Sequence, residues 1–87
     1  MDLEREGMIN EIARIQGELL RYFVNVVGKG REDLADKLEA QLKANAARVR
    51  KNMSRDEYKR MMEQAWMHTG FPESFLKKMG KSRLNLN

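Results

Sequence analysis

From Met8 the apolar residues fall at Met8, Ile12, Ile15, Leu19, Tyr22 and Val26, in alternating steps of four and three, with Ile9, Leu20, Phe23 and Val27 widening the stripe. That spacing predicts an amphipathic helix over about 3–27. The stripe is broader than the two-position seam of a coiled coil, so it can face a helix of the same chain, a second copy, or both. Gly17 sits inside it at a cost of roughly 1 kcal/mol relative to Ala. It is read as a tolerated glycine rather than the mark of a close helix crossing. Gly28-Lys29-Gly30 closes the helix, since glycine readily takes the left-handed conformation at a helix end.

A second stripe, Leu34, Leu38, Leu42, Asn45 or Ala46, Val49 and Met53, predicts a helix over about 32–52, with Glu32 and Asp33 complementing the dipole of its first turn. Two long helices joined by so short a turn form an antiparallel hairpin. The second stripe is thin and edged with alanines, which leaves part of the first helix's apolar surface for another neighbour. Ser54-Arg55-Asp56-Glu57 is a capping box opening a helix over about 55–68, which carries Tyr58, Met61, Met62, Ala65 and Trp66 and stops at Thr69-Gly70. Pro72 suits a first helical position and starts a short helix over about 72–79, with Phe75, Leu76 and Met79 turned inward. No strand alternation of useful length competes. The expected fold is therefore all-α: a long helical hairpin followed by two shorter helices, one domain over 1–80, and a frayed tail over 81–87.

At 87 residues, without cysteine, the chain has a thin core and no disulfide to reinforce it. One histidine cannot make a structural zinc site, and no cofactor or metal is expected. The opening Met1-Asp2-Leu3-Glu4-Arg5-Glu6 does not read as a signal peptide, and the most apolar run, Tyr22 to Val27, is short and interrupted by Asn25. The expectation is a cytoplasmic protein without a membrane span. Gly80-Lys81-Ser82 lacks the earlier glycine of a phosphate-binding loop, position 75 being Phe. His68 has no Cys, Ser or paired carboxylate at helical spacing, and the Asp56-Glu57 and Glu32-Asp33 pairs are explained by helix starts. With no catalytic set and no evident small-molecule substrate, a binding function is expected rather than an enzyme.

Charge then narrows the partner. The net charge is +4, but residues 1 to 28 carry three arginines against five acids, and the remainder fourteen bases against eight acids. Lys43, Arg48, Arg50, Lys51, Arg55, Lys59 and Arg60 cluster around the end of the second helix and the start of the third. A solvated surface is the ordinary explanation of such a run; its density points instead to nucleic-acid phosphates or an acidic protein. The last two helices suggest a helix-turn-helix, with Ser74, Lys77, Lys78 and Lys81 presented by the final one, although that helix is short and offers no Arg, Asn or Gln to read bases. The leading expectation is a nucleic-acid-associated regulator or accessory factor, dimeric through the first-helix stripe. The alternative is a protein-binding adaptor or inhibitor, of the kind phages and mobile elements encode, using the Met61, Met62, Trp66, Phe71 and Phe75 surface or the first-helix stripe.

Overall fold

A computed structural model describes residues 3–79 together with Arg83 and Leu84. Four helices follow in order: α1 (Leu3–Gly28), α2 (Glu32–Arg50), α3 (Arg55–His68) and α4 (Glu73–Met79), with no strand among the described residues. The expected hairpin and its two shorter successors are all present. The largest difference in length is at α2, which stops at Arg50 and continues to Met53 only as a turn.

Each helix end has a local cause. After α1, Gly30 takes φ +72°, the Arg31 amide donates to Val26 O and the Gly30 amide to Val27 O, the paired bonds that satisfy the last carbonyls of a helix. Gly70 does similar work after α3 at φ +76°, where the Thr69 hydroxyl donates to Trp66 O at 2.6 Å. Ser54 caps α3 as the sequence predicts: its Oγ accepts from the Glu57 amide, and Glu57 Oε1 accepts from the Ser54 amide at 2.8 Å.

α1 runs through the middle of the molecule and contributes Ile9, Ala13, Leu20, Phe23 and Val24 to the core. Its most extensive packing is against α3, not against its sequence neighbour α2. The two run parallel: Glu6 lies beside Arg60 and Gly17 beside Ala65 and His68. The apolar surface that α2 leaves over is therefore largely taken up by Tyr58, Met61, Met62 and Ala65.

Gly17 is where the tolerance reading fails. A Cβ built there would stand 2.5 Å from His68 Cβ and 2.8 Å from the backbone oxygen of Ala65, closer than real atoms approach. The glycine lets α3 lie directly on the α1 backbone. Gly7, in the same helix, has nothing within 4 Å of such a Cβ.

α2 and α3 scarcely touch each other. Leu76 of α4 is buried beside Met62 and Trp66, and Arg83 reaches α2, so the C-terminal segment bridges the two. Arg83 donates to Glu39 at 2.6 Å and to Glu32 at 3.0 Å, bonds Asp36 as well, and lies 5.8 Å above the Phe23 ring. Glu32, Asp36 and Glu39 recur at helical spacing, so one guanidinium can meet all three. Leu84 is fully buried. Arg83 and Leu84 are thus anchored where fraying was expected, while the rest of 81–87 lies outside the described residues.

Candidate nucleic-acid interface

The carboxylates are largely committed within the fold. Glu6 pairs with Arg60, Glu57 with Arg5, Glu11 and Glu18 with Arg14, and Asp33 with Arg31, while Glu32, Asp36 and Glu39 hold Arg83. Glu39 also takes Lys43 at 3.5 Å. Arg48, Lys51, Arg55, Lys59, Lys77 and Lys78 make no ion pair among the described residues. Lys29 and Lys37 likewise make none, so the unpaired positive charge is spread along the surface, and its densest groups are at the α2–α3 corner and on α4.

The structure sorts the sequence cluster rather than gathering all of it. Lys51, Arg55 and Lys59 flank the Ser54 cap, and Arg55 and Lys59 share one face of α3 at a spacing of four. Arg50 comes to this corner from α2, its guanidinium stacked 4.7 Å above the Tyr58 ring. Burial pushes the Tyr58 hydroxyl above its ordinary pKa, opposed by that same guanidinium. Arg60 bonds Glu6 through two nitrogens at 3.0 and 3.2 Å, and Lys43 is held by Glu39, so both carry neutralised charge. Arg48 turns the other way, into a groove between α1 and α2 beside Ile12 and Val49.

On α4, Ser74, Lys77 and Lys78 are exposed, as a phosphate-facing helix requires. Lys81 lies outside the described residues. Between α3 and α4 opens a cleft of about 530 Å³, lined by Lys59, Met62, Glu63, Trp66, Met67, Phe71, Glu73 and Leu76. Lys59 thus belongs both to the basic row and to the rim of an apolar cleft.

That cleft revises the residues expected for a protein partner. Met61 is fully buried and Met62 nearly so, and both serve the core, while Trp66 and Phe71 are partly buried. Phe75 was expected to turn inward, yet it is 37% exposed, its ring tilted against Phe71 with centroids 4.9 Å apart. Met67, one of the methionines and aromatic residues that crowd the C-terminal third, is 78% exposed at the cleft.

The corner is rigidly held from below. Glu57 receives the Ser54 amide and also two nitrogens of Arg5, one of them Nη2 at 2.8 Å, and Arg5 Nη2 donates in addition to Asn52 O at 2.8 Å. Chiefly through Arg5, and then through the Ser54 amide, the Glu57 carboxyl is drawn down to about 2. Arg5 was missed as a structural residue, because no local pattern links it to a capping box about fifty positions away. No group of three or more His, Cys, Asp or Glu able to hold a metal ion occurs among the described residues, and no described helix is long and apolar enough to cross a membrane. No protein-family model, curated protein or solved structure matches the chain.

Proposed function

We propose that this is a non-enzymatic, cytoplasmic nucleic-acid-associated protein, a small regulator or accessory factor, whose α2–α3 corner contacts phosphates. The observation that carries the reading is the partition of charge: most of the fold's acids are taken up in ion pairs, while Lys51, Arg55 and Lys59 stand side by side without one among the described residues, next to the stacked Arg50 and opposed only by Asp56 and Glu63. Arginine and lysine on a rigid corner supply the sequence-independent attraction that dominates nucleic-acid affinity. Lys77 and Lys78 extend it across the cleft.

The test is fluorescence anisotropy with a mixed-sequence duplex and a single strand at about 50 and about 150 mM salt, where counterion release makes phosphate binding fall steeply. Reversing Arg55 and Lys59 to Glu should weaken binding by about tenfold or more and flatten the salt dependence. The same charge change at Lys29 and Arg31, at the opposite end of α2, should have a much smaller effect. Absence of binding at low salt, or equal losses in the two variants, would remove this reading.

A second reading is favoured by the α3–α4 cleft, whose apolar lining and exposed Met67 suit an adaptor or inhibitor that grips a protein. Its signature is binding insensitive to salt and abolished by Met67→Glu.

A further inference from the structure

Met8, Ile15 and Tyr22 recur every seven residues along α1 and are 43, 47 and 53% exposed. Ile15 lies about 200° around the helix from Gly17, so this row faces away from the α3 crossing. Between the row and α2 runs a groove of about 260 Å³ with Ile12, Leu19 and Val49 in its lining. Gln16 also lines it, buried, with its Oε1 lacking any hydrogen-bond partner among the described residues.

The two borders of this groove carry opposite charge. Along α1, Glu4, Glu11 and Glu18 stand four residues before each exposed apolar side chain; Arg14 bridges the last two, and the acids outnumber it. Along α2, Arg48 lines the groove and Lys37, eleven residues earlier, falls within about 20° of the same line, with only Gln41 and Ala44 between them on that edge.

From this geometry we infer that the α1–α2 face is a homodimer interface. A second copy, turned about a two-fold axis parallel to the helices, lays α1 of each copy over α2 of the other. The acidic border then meets the basic border at both seams. A two-fold contact requires such a self-complementary patch, and the product is an antiparallel four-helix layer. Nucleic acid does not fit here, since the acidic border would repel it. The face extends about 30 Å along α2 and about 20 Å across two helices, which with side-chain relief reaches the ~800 Å² per partner of a stable dimer. Buried Gln16 and half-buried Asn45 are the uncharged polar side chains lining this seam beside Arg48, a placement that favours one register over others.

Sedimentation equilibrium from micromolar to submillimolar chain concentration tests the inference. The expected mass is twice the 10.2 kDa of the chain. Ile15→Glu should weaken association by about a hundredfold or more, with helix content by circular dichroism unchanged because the site is half exposed. Met67→Glu, on the other side of the molecule, should leave the mass unchanged. Glu18→Lys and Arg48→Glu should each weaken the dimer, and together they should restore it. A monomer at every concentration overturns the inference, as does a dimer indifferent to Ile15→Glu or one that the paired charge swap fails to rescue. Each of these readings is independent of whether nucleic acid binds.

Discussion

α1 has two long sides, and they are built differently. Toward α3 it presents Ala13, Gly17 and Leu20, so that backbones approach closely, and the ion pairs Arg5–Glu57 and Glu6–Arg60 tie the N-terminal ends of both helices together. Toward α2 it presents larger side chains, Ile12, Ile15 and Leu19, which hold the helices apart and leave a groove. Chain connectivity favours the second side, because only Lys29 to Arg31 separate α1 from α2, yet the closer packing is on the first. Proximity in sequence decides which helices can meet easily. Side-chain size and glycine placement decide how closely they pack.

Adjacent residues give the largest test of this contrast. Leu20 is fully buried and Leu19 lines the groove, so Leu20→Ala should cost roughly 2–5 kcal/mol in urea denaturation and Leu19→Ala roughly 1 kcal/mol. Equal losses would mean that the two sides are packed alike. The glycines come next. Gly17→Ala gains helix propensity but forces apart the α1–α3 crossing, for a net loss of about 1–2 kcal/mol, whereas Gly7→Ala, with open space around it, should gain up to about 1 kcal/mol. A stabilised Gly17→Ala protein would sink the close-crossing account.

The smallest effect is electrostatic. Glu57 titrates near 2 in the fold and near 4.5 when unperturbed, so its depressed pKa contributes stability that is fully present above about pH 4.5 and is lost as pH falls toward 2. The melting temperature of Glu57→Gln should therefore lie below that of the parent at neutral pH, and the gap should close on acidification. A gap that stays constant to pH 2 would separate the Arg5 contact from stability.

Much of the architecture could be read locally. The 3.6-residue periodicity, the Ser54 capping box and the turn glycines act over a few residues, and the four helices appear close to where those signals place them. Gln16 also had a legible signal: it stands seven residues after Ile9 and seven before Phe23, both buried, which puts a polar residue on the core-facing row. The candidate interface was less legible. Seven bases within residues 43–60 look like one patch on paper, but Lys43 and Arg60 are spent on acids distant in sequence or on a neighbouring turn, and Arg48 faces another groove.

By itself, then, the sequence determined the helices, their ends, their order and the basic surplus of the later part of the chain, because each depends on local backbone chemistry or on simple composition. Only the tertiary structure decided that α3 is the main partner of α1, that Gly17 is required at their crossing, that Arg83 clasps α2, and which cations remain unpaired. These outcomes depend on the angles and distances between helices, and those are set jointly by side chains far apart in the chain, so no single segment carries the information.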